Sequence, residues 1–73
     1  MLTEKQLRAL RACVYPDSVL ATMFWHDARA RWPGPRRTLG SLITRGLVSY
    51  SHQDGWKATD HGRSFIEDLE AGR

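Results

Sequence analysis

The chain has 73 residues, of which 41% are hydrophobic and 26% are charged, and its formal net charge is +3. We expect a single folded domain over residues 1–73, because this length leaves no room for a second core and the composition is not that of a disordered chain. No apolar run approaches the roughly 20 residues of a membrane helix, and no signal-peptide core follows the N-terminus. The expected location is therefore cytoplasmic, without membrane association.

Positive charge is concentrated in the middle of the chain. Residues 28–37 contain four arginines and no acidic residue, whereas residues 59–73 carry two arginines against four acids. Such a cluster is typical of a surface that binds a polyanion. The alternative is a solvated basic loop that has no partner.

The first predicted element is a helix at about residues 4–14. Thr3 and Gln6 have the spacing of a capping box, in which each side chain hydrogen-bonds to the backbone N–H of the other residue. Apolar residues then recur at helical spacing until Pro16 ends the helix. Cys13 lies on this apolar stripe and is expected to be a core residue.

A second helix is predicted from Val19 to about Ala28. Asp17 or Ser18 is placed to cap it. The side chains expected on its buried face are Leu20, Met23 and either Phe24 or Trp25. We expect Trp25 and Trp56 to belong to the core, as is usual for tryptophan in a small domain.

The segment Trp32-Pro33-Gly34-Pro35 leads into a third helix, with Pro33 or Pro35 in its first turn. The side chains expected to face the core are Leu39, Leu42 and Ile43. Gly46 is placed to end this helix in the left-handed conformation. Leu47 then packs back on Leu42, as in a Schellman motif.

After Gly46 the apolar pattern changes from helical to alternating. Residues 47–51 and 56–59 read as two strands, and Asp54-Gly55 between them suits a short hairpin turn. Because an isolated hairpin is marginal in water, it must pack against the helices. Thr59 is placed to cap a last helix, with acidic residues outside. The side chains expected inside are Phe65, Ile66 and Leu69.

The stretch from Thr38 to Val48, the hairpin and Thr59-Asp60-His61-Gly62 resemble winged-helix domains of the MarR and PadR families of bacterial transcription regulators. The matching positions are Leu39, Leu42, Arg45, Gly46, Leu47, Val48, Thr59 and Gly62. The resemblance implies an α+β winged helix: a three-helix helix-turn-helix core, a two-stranded β-hairpin wing and a C-terminal helix. It also implies that the third helix enters the DNA major groove while the wing touches phosphate or the minor groove. The chain departs from these families in its Trp-Pro-Gly-Pro segment and has no match to their dimerisation helices.

The candidate DNA-binding face follows from the helical angle, with Leu39 taken as the inward direction. Arg37, Ser41 and Thr44 then point away from the core, and Gly40 and Arg45 lie on the shoulders. Arginine binds guanine bidentately, and hydroxyls bond to bases or phosphates. The residues expected to contact bases are Arg36, Arg37, Ser41 and Thr44; those expected to contact phosphates are Arg29, Arg31, Arg45 and Lys57.

Two features qualify this candidate face. Gly40 lowers helix stability by about 1 kcal/mol relative to alanine, and a neighbouring helix or a DNA backbone would explain its use. A solvated helix face without a ligand is the alternative to DNA binding.

No spacing of His, Cys or carboxylate residues indicates a metal or nucleophilic site, so we expect no enzymatic activity, metal or cofactor. The predicted function is that of a bacterial or phage regulator of transcription or recombination that binds double-stranded DNA. A monomer reads one half-site, so tight specific binding requires a homodimer or a protein partner. The alternative is a winged-helix module that binds a protein instead of DNA, with Trp32 as its candidate anchor.

Overall fold

The computed structural model describes the backbone of residues 2–31 and 34–72, together with their side chains except those at 28–31 and 34–35. In these ranges the chain forms four helices and a two-stranded antiparallel hairpin, which confirms an α+β fold. The elements are α1 Glu4–Val14, α2 Val19–Arg31, α3 Gly34–Thr44, β1 Val48–Ser51, β2 Gly55–Ala58 and α4 Asp60–Glu70. Over the same residues, no helix combines the length and apolar character needed to cross a membrane.

Helix α1 has the predicted bounds and the predicted cap. The Gln6 N–H donates to Thr3 Oγ1 at 3.2 Å, and the Thr3 N–H donates to Gln6 Oε1 at 2.8 Å. Leu10 and Cys13 on its inner face are buried, as predicted for Cys13. Burial raises the pKa of the Cys13 thiol to about 11, because the thiolate would lose its hydration in the core.

The predicted buried face of α2 is wrong at Leu20 and Met23 but is confirmed at Phe24 and Trp25, which pack against the core. Leu20 and Met23 are 69% and 58% exposed, whereas Ala21 has no exposed surface. Phe24 and Trp25 are half-buried and pack edge to face, with ring centroids 4.9 Å apart. Positions 21, 24 and 25 have the same helical spacing as positions 20, 23 and 24, so periodicity does not choose between the two faces. The small side chain of Ala21 on the packed face lets α2 lie close against α1.

The ends of α2 and the start of α3 refine the sequence prediction. Ser18, rather than Asp17, caps α2, because its Oγ accepts the Ala21 N–H at 3.1 Å. The helix runs to Arg31, three residues past the predicted end, since alanine and arginine at 28–31 are strong helix formers. Helix α3 begins at Gly34, which places Pro35 in its first turn. Pro33 lies outside the described residues.

The turn that follows α3 is the predicted Schellman motif. Gly46 has a φ of +75°, a conformation that favours glycine. Its N–H donates to the Ile43 carbonyl at 2.9 Å, and the Leu47 N–H donates to the Leu42 carbonyl at 2.9 Å. Leu42 and Leu47 both belong to the buried core, as the motif predicts.

Thr59 fastens this turn to α4. Its Oγ1 accepts the Gly62 N–H at 3.1 Å as a helix cap and donates to the Gly46 carbonyl at 2.6 Å. The Thr59 N–H also donates to the Leu47 carbonyl at 3.0 Å. A Cβ on Gly62 would stand 2.0 Å from the Leu47 carbonyl oxygen, so a larger residue does not fit there. The Thr-x-x-Gly pattern is therefore a structural joint between α3, the hairpin and α4.

The hairpin packs on the helices, as predicted. Val48 pairs with Ala58 and Ser51 with Gly55, whose φ is +71°. Trp56 is half-buried against the core, as is Trp25 in α2. The buried core cluster contains Leu2, Ala9, Leu10, Cys13, Val14, Leu39, Leu42, Leu47, Val48 and Ile66.

Helix α4 contributes less to the core than the sequence predicts. Ile66 is fully buried and Phe65 is half-buried, but Leu69 is 41% exposed. The expectation that Leu69 faces inward is wrong, because it lies in the last turn, where the helix runs past the small core. The acidic side chains of α4 are exposed, as predicted.

Candidate functional site

Helix α3 is held against the core by Leu39 and Leu42, neither of which has any exposed surface. Beside them, Ser41 is half-buried. Its Oγ donates to the Thr38 carbonyl at 2.8 Å and accepts from Gln6 Nε2 at 2.8 Å. The expectation that Ser41 points away from the core is therefore wrong: its hydroxyl lies in the junction between α1 and α3. Gln6, predicted only as a capping residue, also positions α3.

Relative to the prediction, the packed side of α3 therefore extends from Leu39 and Leu42 toward Ser41 and away from Ile43. Ile43, expected to face inward, is 42% exposed because the Ser41 side of the helix is packed instead. The side chains at 36, 37, 43 and 44 are exposed and surround position 40. We define the exposed α3 face by these five residues: Arg36, Arg37, Gly40, Ile43 and Thr44.

The centre of the exposed α3 face carries no side chain at Gly40 and is bordered by Ile43 and Thr44. Leaving aside Leu39, Ser41 and the nearby backbone of α3, no atom of the described residues lies within 4 Å of the position that a Cβ on Gly40 would take. The expected neighbouring helix at Gly40 is thus not found in this part of the chain. Thr44 Oγ1 donates to the Gly40 carbonyl at 3.1 Å, so its hydroxyl proton is used within the helix. Exposed Ile43 lies beside them.

The N-terminal end of the same face is positively charged. The side chains of Arg36 and Arg37 are exposed, and the sequence of α3 contains no acidic residue. The helix macrodipole adds partial positive charge at this end. The structure therefore brings together two of the predicted cations, Arg36 and Arg37, on one side of α3 with Thr44.

The other predicted cations surround this face less closely. Arg45 is exposed just past α3, where it lines a hollow of about 300 Å³ with Leu2, Leu47, His61 and Phe65. Lys57 is exposed on β2, and its Nζ lies 3.8 Å from Asp54 Oδ2. Since Lys57 and Asp54 are the charged residues of the hairpin, this ion pair offsets its one formal positive charge. Arg29 and Arg31 belong to α2, but their side chains lie outside the described residues, as does all of Trp32.

A second surface of interest lies on α2, where the sequence predicted core. Val19, Leu20 and Met23 are 75%, 69% and 58% exposed and form one stripe of the helix, which we name the α2 apolar patch. Exposed acids, Asp17 and Asp27, precede and follow it in the chain. Contiguous exposed apolar side chains are a feature of interaction surfaces.

No protein-family model, curated protein or solved structure matches the chain. In residues 2–31 and 34–72, no group of three His, Cys, Asp or Glu side chains is placed to hold a metal ion. The chemical character of the exposed α3 face and of the α2 apolar patch is therefore the basis for a functional proposal.

Proposed function

We propose that the protein binds double-stranded DNA through the exposed α3 face, as a winged-helix regulator of transcription or recombination. The element order supports this proposal. Helices α2 and α3 correspond to a helix-turn-helix, the β1–β2 hairpin to a wing, and α4 to the C-terminal helix. In such a layout α3 is the helix that enters the major groove.

The observation that carries the proposal is the division of α3 into two sides. Leu39 and Leu42 are fully buried, while Arg36 and Arg37 project from the first half of an acid-free helix. In helix-turn-helix docking, the N-terminal part of the recognition helix lies nearest the base edges. Arginine there binds guanine bidentately or reaches phosphate, and the helix N-terminus attracts the same anion.

The remaining cations are assigned to phosphates, which position the protein without reading sequence. Arg45 follows α3 directly, and Lys57 lies on the wing. The exposed Lys57–Asp54 pair is worth about 0–1 kcal/mol, so a phosphate readily replaces Asp54. Arg29 and Arg31 complete the proposed set. Ser41 contributes by positioning α3, since its hydroxyl is bonded inside the fold.

The test is a charge reversal of the exposed α3 face with a matched control. Arg36→Glu with Arg37→Glu should weaken binding to a random-sequence duplex at low salt by about 100-fold or more, because each charged hydrogen bond contributes about 1.5–3 kcal/mol. Lys5→Glu with Arg63→Glu makes the same change in net charge at exposed positions on α1 and α4. Fluorescence anisotropy measures affinity, and circular dichroism checks the fold of each variant.

The control separates a defined interface from general charge attraction. We expect the Lys5 and Arg63 variant to lose much less affinity than the variant of Arg36 and Arg37. Equal losses in the two variants would show that net charge alone governs binding. Unchanged binding after reversal of Arg36 and Arg37 would place any DNA contact elsewhere.

A second candidate function is a protein-interaction module that does not bind DNA. The α2 apolar patch favours it, because three exposed apolar side chains on one helical stripe suit an apolar protein partner better than a phosphate backbone. This candidate replaces the first if the wild-type protein binds no duplex even at low salt.

A further inference from the structure

We infer that Gly40 and Ile43 read the C5-methyl group of thymine from the centre of the exposed α3 face. The inference rests on the proposed function, DNA binding through that face, and names the chemistry by which it selects a sequence. Thymine is distinguished in the major groove by this methyl group, which apolar side chains contact.

The hydroxyl groups of α3 are poorly placed to select bases. Ser41 Oγ donates to the Thr38 carbonyl and accepts from Gln6, both at 2.8 Å. Thr44 Oγ1 donates to the Gly40 carbonyl at 3.1 Å. Both hydroxyl protons are thus used inside the protein. Neither hydroxyl can therefore donate to a base, although the exposed Thr44 oxygen can still accept, and the selective contact that we assign to this half of α3 is an apolar one.

Ile43 supplies that apolar group. It is 42% exposed although it follows directly on the fully buried Leu42. Its neighbours on the exposed α3 face are Gly40, which has no side chain, and Thr44. Beside Ile43, the missing side chain of Gly40 leaves a notch with room for a methyl group, because a Cβ placed there would meet no described atom within 4 Å outside its chain neighbours and the adjacent backbone of α3.

No backbone conformation or close contact in the described part of the fold requires a glycine at position 40. It is not among the glycines with positive φ, and a Cβ added to it would meet no described side chain within 4 Å apart from those of its chain neighbours, Leu39 and Ser41. Glycine in a helix interior is nonetheless destabilising relative to alanine. A close approach of a ligand from outside explains why the residue carries no side chain, whereas Gly62 is required by the Leu47 carbonyl.

The test compares two duplexes that differ only in the methyl group: alternating dA·dT and alternating dA·dU of equal length. Wild-type protein should bind the dA·dT duplex about fourfold more tightly for each methyl contacted, the value expected for burying one such group. Ile43→Ala should abolish this preference, and Ile43→Val should retain most of it. The Ile43→Ala variant is measured on the same two duplexes, so a difference in binding that comes from duplex flexibility would persist in this variant.

Gly40 is tested separately from Ile43. Gly40→Ala should raise the midpoint of thermal unfolding, since the position is helical and open, yet weaken binding to the dA·dT duplex by about threefold or more by filling the notch. A purely structural role would change the midpoint and leave the affinity unaltered.

The outcomes separate this inference from the function on which it rests. If wild-type protein binds neither duplex at low salt, the proposed function is wrong. Equal binding of both duplexes would leave DNA binding intact and overturn thymine recognition. If the thymine preference survives Ile43→Ala, the methyl contact is not made by Ile43. If Gly40→Ala binds the dA·dT duplex with wild-type affinity, Gly40 has no part in that contact.

Discussion

The two neighbouring helices α2 and α3 present opposite chemistry to solvent. Helix α3 buries its leucines, Leu39 and Leu42, and projects arginines. Helix α2 buries a small residue, Ala21, and exposes larger apolar ones, including Leu20 and Met23. Both helices pack on α1, yet one suits a polyanion and the other an apolar surface.

This difference shows that the helical spacing of apolar residues does not by itself decide which side of a helix is packed. In α2, the buried Ala21 lies on the packed side, and the half-buried pair Phe24 and Trp25 fills the space beside it. In α3, the hydrogen bond from Gln6 to Ser41 keeps a polar residue on the packed side. Surfaces that remain apolar after such packing are available to ligands.

The largest expected effect comes from a substitution that opens the joint between α3, the hairpin and α4. Gly62→Ala should lower the free energy of unfolding by about 2–4 kcal/mol, because the new Cβ meets the Leu47 backbone 2.0 Å away and the joint between α3 and α4 must open. Urea denaturation followed by circular dichroism measures the change.

Gly40→Ala is the matched control for that substitution. The same methyl group, added to an open helical position, should stabilise the protein by about 1 kcal/mol. If Gly62→Ala is as stable as the wild type, the close packing of α4 against the Leu47 turn is wrong.

A much smaller effect is expected on the α2 apolar patch. Leu20→Gln with Met23→Gln should change the free energy of unfolding by less than about 0.5 kcal/mol, since both side chains are largely exposed. Duplex affinity should stay within about twofold of wild type, because the patch and the exposed α3 face are assigned to different ligands. Parallel urea and anisotropy titrations measure both quantities. A tenfold loss of DNA affinity would show that the α2 apolar patch and the exposed α3 face belong to one DNA-binding interface.

Local signals in the sequence were sufficient for the helix ends and turns. The Thr3–Gln6 capping box, the Schellman turn at Gly46 and the left-handed Gly55 each depend on a few adjacent residues whose conformational preferences are strong. The hairpin followed from its alternating pattern and the Asp54-Gly55 turn, and the burial of Cys13 followed from the apolar period of α1. The helix caps and turns among these features do not depend on how the helices pack.

The orientation of the helices depended on contacts that the sequence does not reveal. Ser41 packs inward because of Gln6, which is 35 residues away in the chain. Leu20 and Ile43 are exposed because other residues at equally helical spacing fill the core. The sequence therefore predicted the cations of the candidate site but placed Ser41 on the wrong side of α3 and missed the α2 apolar patch.

The measurement that tests DNA binding most directly is the salt dependence of wild-type affinity for a random-sequence duplex, between about 50 mM and 200 mM salt. With about five phosphate contacts, made by Arg29, Arg31, Arg45, Lys57 and the N-terminal turn of α3, log K should fall against log[salt] with a slope near −4.5, because each contact releases condensed counterions. An affinity that does not change with salt, or no binding at the lower concentration, would contradict the assignment of the exposed α3 face to DNA.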